Sequence, residues 1–265
     1  MTTSLLDAIV AASRRAAVER EARVPLASLA ARRRPAASAF RRALESGPAP
    51  RVIAECKRRS PARGVLREAY DPAAMAAAYA AAGAAAISVL TEPTFFDGDL
   101  RHLRAVREAV NVPILRKDFV VTVYQIAEAA GAGADAVLLI VAALEDAALR
   151  DLMRAAEDYG LDALVEAHDG TEIDRALAAG ARMVGVNSRN LHTLAVDPGT
   201  PAALAARIPE DVVAVAESGI RDGRAIAALG AAGYRACLIG ERLMTSDDPG
   251  QALRALIAES REAAA

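Results

Sequence analysis

Several short apolar runs in this chain end in ionisable residues, which a strand buried on both faces does not carry without cause. The first reads Ile53-Ala54-Glu55-Cys56-Lys57 and the third ends Leu115-Arg116-Lys117-Asp118-Phe119. Leu164-Val165-Glu166, Val186-Asn187-Ser188-Arg189-Asn190 and Ala216-Glu217-Ser218-Gly219 repeat the pattern. Strand alternation puts Glu55 and Lys57 on one face and turns Cys56 to the other. Amines and carboxylates brought together this way are the equipment of general acid-base chemistry. A ring of ion pairs filling an interior is the structural reading of the same residues. Their position at strand ends, beside glycine-containing turns, favours chemistry.

The elements that would position them form a repeat. From residue 51 onward, apolar runs alternate with amphipathic or alanine-rich segments, the pattern of strand-helix units around a parallel sheet. Eight strands are expected at Val52-Lys57, Ala86-Leu90, Val112-Lys117, Ala136-Val141, Ala163-Ala167, Met183-Asn187, Val212-Ala216 and Ala236-Ile239. Helices are expected near 72-82, 100-109, 123-132, 144-159, 170-179, 199-206, 221-229 and 248-261, with Asp71-Pro72 at one start and Gly83, Gly160, Gly180 and Gly230 at ends. The fold class is α/β, a (β/α)8 TIM barrel, and active sites in such barrels sit at the C-terminal strand ends. Residues 1-48 stand outside the count, with helical patterns at Leu5-Glu21 and Pro35-Ser46 around Arg32-Arg33-Arg34, and are expected to pack on the barrel (51-265) as part of one domain.

The last two strands lead into Ser218-Gly219-Ile220 and Gly240-Glu241. Loops after strands seven and eight commonly hold a phosphate, because glycine lets backbone N-H groups approach the anion and a following helix adds its positive end. A phosphorylated small molecule is the expected ligand.

Composition narrows the classes further. The 265 residues are 54% hydrophobic and 25% charged, enough for a sizeable core. A net charge of -2, 3% aromatics and no Trp argue against nucleic acid. Two well-separated cysteines, Cys56 and Cys237, suit a reducing compartment, so the cytoplasm is expected, with no metal site from the cysteines and no ligand spacing among His102, His168 and His192. Met1-Val10 has no basic flank before an apolar core, so no export signal is expected. Pro72-Leu90 is uncharged and long enough to span a bilayer, but Gly83 divides it into a helical and a strand-like block, and no membrane segment is expected.

Taken in order, Ile53-Ala54-Glu55-Cys56-Lys57-Arg58-Arg59-Ser60-Pro61, Pro113-Ile114-Leu115-Arg116-Lys117-Asp118-Phe119, Leu164-Val165-Glu166, Gly185-Val186-Asn187-Ser188-Arg189-Asn190-Leu191, Ala216-Glu217-Ser218-Gly219-Ile220 and Leu238-Ile239-Gly240-Glu241 resemble the indole-3-glycerol phosphate synthases of tryptophan biosynthesis. The resemblance spans nearly the whole chain and includes Val24-Pro25-Leu26 in the extension. It implies closure of the indole pyrrole ring on 1-(2-carboxyphenylamino)-1-deoxyribulose 5-phosphate, with loss of carbon dioxide and water and no cofactor. By resemblance, Lys117 is the general acid and Glu166 the base. Lys57 is implied as a ligand of phosphate or carboxylate and a second acid, and Glu55 as the residue that orients the lysines. The substrate would be held by Asn187, Arg189, Ser60 and Glu217, with Phe96, Pro61, Phe119 and Leu191 forming an apolar slot for the anthranilate ring. Ser218, Gly219, Gly240 and Glu241 would line the phosphate site, Glu241 through its backbone alone with the carboxylate turned away. Arg58-Ala69 is expected to act as a lid, and a monomer or weak homo-oligomer is expected.

Two other readings remain open at this level. Another phosphosugar barrel, an isomerase, would favour a reactive Cys or Asp on the first strand, where Cys56 points outward. A non-catalytic barrel that binds a phosphorylated metabolite would not need both Lys117 and Glu166.

Overall fold

The computed structural model describes residues 4-29, 38-191 and 193-265. The Arg32-Arg34 run, the start of the helix expected from Pro35, and His192 lie outside the described residues. Eight parallel strands close a barrel in which each pairs with the next and the last with the first. They are β1 (Arg51-Cys56), β2 (Ala86-Leu90), β3 (Ile114-Lys117), β4 (Ala136-Ile140), β5 (Asp162-Ala167), β6 (Met183-Asn187), β7 (Val213-Glu217) and β8 (Ala236-Ile239). All eight expected strands are present, with ends shifted by no more than two residues. Helices follow the strands as expected, the longest being Pro249-Ala264.

Alternation sorts each strand's side chains into two layers. Inside the barrel lie Ile53, Leu115, Leu138, Leu164, Met183, Val215 and Leu238. Between strands and helices lie Ala54, Cys56, Val89, Val137, Val165, Val184 and Cys237. Five of these columns continue upward into a polar residue: Ile53 into Glu55, Leu115 into Lys117, Leu164 into Glu166, Val215 into Glu217 and Met183, past Gly185, into Asn187, whereas Leu138 leads to Ile140 and Leu238 to Gly240. The strand register keeps these tops level, with Ile140 opposite Glu166 and Asn187 opposite Glu217.

Helix boundaries follow local chemistry. Asp71, Asp99, Asp169, Asp222 and Asp248 each accept a backbone N-H from the first turn of their helix. Gly83, Gly160 and Gly180 take φ values of +97°, +73° and +92° just past helix ends. Gly230 does not end a helix: it lies inside Gly223-Ala231, where a Cβ would meet the Pro50 ring at 2.7 Å, and Gly233 (φ +102°) makes the turn. Close packing against the residue that enters β1 fixes Gly230. Pro72-Leu90 folds as the helix Pro72-Ala81 and strand β2, and no described helix is long and apolar enough to cross a membrane.

The extension reaches both ends of the barrel. Helix Leu5-Arg23 opens with a Ser4-Asp7 capping box and buries Leu6 and Ile9 beside Phe119 on the catalytic side. Helix Ala39-Glu45 buries Phe40 and Leu44 against the interior residues Ile53, Met183 and Val213, closing the opposite end.

Candidate active site

The interior columns end in a cavity of about 300 Å³ at the C-terminal ends of the strands. Lys117 lines it from the end of β3. Its Nζ donates to Glu166 Oε2 at 2.7 Å and lies 3.1 Å from Glu217 Oε2. Lys57 Nζ lies 2.5 Å from Glu55 Oε1 on the neighbouring side of the same space. Asn187 Nδ2 donates to Glu166 Oε1 at 3.0 Å, and Asn187 Oδ1 accepts the backbone N-H of Arg189. Glycines make room for two of these carboxylates: a Cβ at Gly185 would overlap Glu217, and one at Gly240 would overlap Glu55. The strand-end alternation of small and charged residues is therefore one packed layer.

Burial and mutual charge set the protonation states. For Lys117, burial works to lower the pKa, but Glu166, Glu217 and Glu55 outweigh it and hold the ammonium above the ordinary lysine range. The sign that the sequence leaves open is thus fixed: Lys117 rests as a cation. For Glu166, burial works upward, and Lys117 with His168 overcomes it, keeping the carboxylate well below its ordinary value. For Glu217, burial dominates, Lys117 opposes and the nearby Glu166 adds repulsion, pushing the group up to about 8. A protonated amine, an ionised carboxylate and a second carboxyl that changes state near neutrality share one enclosed space, which is an arrangement for moving protons.

The resemblance named a set of residues that the fold brings together. Glu55, Lys57, Phe96, Lys117, Phe119, Glu166, Asn187, Arg189, Leu191, Glu217, Ser218, Gly219, Gly240 and Glu241 all line the cavity. Ser60 and Pro61 line an adjoining apolar recess that shares Lys57, Phe96, Phe119, Arg189 and Leu191 with it. Phe96 and Phe119 face one another there with ring centroids 6.1 Å apart. At the other end, Ser218 (φ +62°) and Gly219 (φ +74°) take consecutive left-handed conformations, a strained turn that presents backbone to the cavity.

Some expectations are corrected. Glu241 does not turn its carboxylate away: it lines the cavity mouth, 2.9 Å from Arg63 and 3.5 Å from Arg189, because two guanidinium groups converge on it. Arg116, counted with the charged strand ends, points away from the cavity into a buried network, so the structural reading holds at that position. His102 is half-buried with its ring edge-on to Tyr70 at 5.4 Å, and burial lowers its pKa. His168, just past the end of β5, is 14% exposed and lies 3.4 Å from Glu166. Cys56 packs outside the barrel with its thiol pKa pushed up by burial, as its position on the strand implies.

Other contributors were not visible in the sequence. Arg63 and Arg221 join the cavity lining, and Leu5, Leu6 and Ile9 of the extension wall the recess. The spacing of Leu6 and Ile9 marked an apolar helix face without saying what it covers. Arg58-Ala69 forms a two-stranded hairpin, Arg59-Ser60 against Gly64-Val65, tied down by Arg58 to Asp97 at 2.7 Å and by Arg67 to the Met244 carbonyl at 3.3 Å. Among the described residues, no group of three or more His, Cys, Asp or Glu side chains is arranged to hold a metal ion.

The fold and this cavity define a (β/α)8-barrel enzyme of the acid-base class, with polar groups placed for an anionic small molecule. Residues 6-256 match the family profile described as indole-3-glycerol phosphate synthase. Curated proteins of that name are 50% identical in Streptomyces coelicolor (96% of this chain and 95% of the relative covered) and 52% identical in a Nocardioides species (95% and 97%). A third, from Micrococcus luteus, is 56% identical over 79% of this chain and 78% of its own. The chain belongs to the indole-3-glycerol phosphate synthase family. Among solved structures, a thiamine phosphate pyrophosphorylase from Pyrococcus furiosus (TM-score 0.62, 15% identity, 82% of this chain and 98% of the other) and a mandelate oxidase (TM-score 0.64, 17% identity, 81% and 73%) share the barrel, a likeness of fold alone.

Proposed function

We propose a division of labour for the ring closure that this carboxy-lyase carries out on 1-(2-carboxyphenylamino)-1-deoxyribulose 5-phosphate. The ring carbon bearing the carboxylate attacks the ribulose carbonyl, carbon dioxide leaves, and the resulting hydroxyl departs as water. Lys117 gives a proton to the carbonyl oxygen as the new bond forms, and Glu166 removes a proton from the intermediate as water is lost. Lys57 faces the substrate's acidic groups and is available as a second acid, with Glu55 fixing its ammonium. Glu217 orients Lys117, Asn187 orients Glu166, and Arg189 with Ser60 meets the substrate's hydroxyl and carboxylate. Phe96, Phe119, Leu191 and Pro61 take the anthranilate ring, and the backbones of Ser218, Gly219, Gly240 and Glu241 take the phosphate.

The observation that carries this reading is the position of the Lys117 ammonium between Glu166 and Glu217 in the cavity lining. A proton taken up by Glu166 can return directly to a spent Lys117 across their 2.7 Å contact. The proton that leaves with the hydroxyl as water comes from Lys57, which is recharged from solvent because loss of carbon dioxide from a carboxylate consumes one proton. The whole set of acid, base and orienting groups favours catalysis over a binding-only barrel, and the outward Cys56 removes the nucleophile that the isomerase reading would use. The test is direct: the purified protein, given the carboxyphenylamino-deoxyribulose phosphate without metal or nucleotide, is expected to develop indole fluorescence, and no turnover would defeat the assignment.

We also infer one domain, the extension closing the barrel at both ends, working as a monomer or weak homo-oligomer. Two free, buried thiols support a reducing compartment, the cytoplasm.

A further inference from the structure

His168 follows β5 directly and stands behind Glu166, outside the cavity lining. Its ring has a carboxylate at each nitrogen, hydrogen-bonded at Nδ1 and in an ion-pair contact at Nε2 that makes no hydrogen bond of good geometry. Nδ1 lies 2.9 Å from Glu172 Oε2, the same oxygen that accepts the His168 backbone N-H at 2.8 Å, and Nε2 lies 3.4 Å from Glu166 Oε1. Glu172 is itself fixed in the first turn of helix Gly170-Ala178, where Asp169 caps its N-H. The ring is therefore anchored to a helix start on one side and touches the proposed base on the other. An imidazole flanked by carboxylates at both nitrogens is the doubly protonated cation, and here burial, which would lower its pKa, is outweighed by Glu166 and Glu172, which raise it to about 10.

The charged groups around it define what this cation does. Glu166 faces it from β5 and Glu172 from the following helix; Lys117 reaches Glu166 from β3, and Glu217 stands beyond on β7. In an enclosed site, a lone Lys-Glu contact tends to collapse to its neutral form, because desolvation penalises both charges. Collapse would leave Lys117 with no proton to give and Glu166 with no room to accept one. A second cation behind Glu166 opposes that transfer.

We propose that His168 is a positioning residue for catalysis, holding the Glu166 carboxylate in place and ionised so that the proton stays on Lys117 until substrate arrives. This rests on the reading of Glu166 as the base. It assigns Glu172 a supporting part, as the anchor that keeps the ring against Glu166.

The experiment is the pH dependence of kcat and KM for the unaltered enzyme, His168→Gln and Glu172→Gln, with thermal unfolding to confirm folding. In His168→Gln, kcat is expected to fall about tenfold with KM within about twofold, and the acid limb of kcat to move up by about one pH unit as Glu166 holds its proton more tightly. Glu172→Gln is expected to move the limb the same way by less, and decides the matter alone if His168→Gln fails to fold. An acid limb unmoved in the folded variants overturns the proposal, whatever the change in rate, since a merely structural role would lower activity without altering the titration. Glu166→Gln separates the two readings. Its loss of turnover together with an unmoved limb in His168→Gln removes this proposal alone, whereas near-normal turnover in Glu166→Gln removes the base assignment and this proposal with it.

Discussion

Arg116 and Lys117 are neighbours on β3, each buried among carboxylates, yet the two sides of that strand are built for opposite ends. Outward, Arg116 donates to Asp118 at 2.8 Å, to Thr91 at 3.0 Å and to the Gln125 carbonyl at 2.6 Å, with Glu128 3.5 Å away. Asp118 also accepts from Thr91 and from the Phe119 backbone, and Glu128 is held by Arg20 of the extension at 2.7 Å. Inward, Lys117 meets Glu166 and Glu217, but neither Glu217 oxygen makes a hydrogen bond of good geometry within the protein. No buried side-chain atom of the first cluster is left without a partner, and a satisfied network rigidifies what it joins. The second keeps an unmatched carboxyl beside a cation, so its protons can move. Saturation of hydrogen bonds, rather than charge or burial, separates the structural cluster from the chemical one.

The largest effect should come from breaking the saturated side. Arg116→Met removes the cation paired with buried Asp118 and leaves Glu128 to Arg20 alone, and is expected to cost about 3-5 kcal/mol of stability, seen as a large fall in thermal midpoint. A midpoint close to that of the unaltered protein would show that this cluster is not what fixes β3. Lys117→Ala, on the open side, should lose at least about a hundredfold in kcat with substrate binding largely kept. A near-normal rate would move the acid role to Lys57.

Glu241 tests the cavity mouth. Glu241→Gln releases Arg63 and Arg189 from a half-buried carboxylate that competes with the substrate's anions, so KM should fall, by no more than about fivefold for partly exposed pairs. A raised KM would mean that the carboxylate helps to hold the mouth in its binding shape. The Glu217 carboxyl gives a pH signature in stability. Because its folded pKa is raised to about 8, the folded state binds the proton more tightly than the unfolded one, and stability falls as pH rises from the ordinary glutamate range to about 8. Denaturant titrations should show that slope reduced in Glu217→Gln, with a further decline left towards pH 10 from His168. The smallest effect is expected from Arg20→Ala, whose side chain is 34% exposed: under about 1 kcal/mol by unfolding, if the Arg116 network stands without it.

The sequence alone determined the architecture and the inner face of each strand. Period-two alternation and the recurrence of strand-helix units are local signals, so all eight strands, the shared face of Glu55 and Lys57, and the strand-end positions of Lys117, Glu166, Asn187 and Glu217 were legible in the sequence. So was the outward turn of Cys56. Arg116 read as one more charged strand end, and its outward turn to Thr91, Asp118 and the helix residues Gln125 and Glu128 came only with the fold. What the tertiary structure decided depends on distances between residues far apart in the chain. The sign of the Lys117 shift rests on three carboxylates from three other strands, and the direction of Glu241 on arginines from a hairpin and a distant loop. Gly230 read as a turn because its contact with Pro50 is invisible along the sequence. His168 carried no metal spacing and looked incidental, until the barrel set its ring between the proposed base and the start of the next helix.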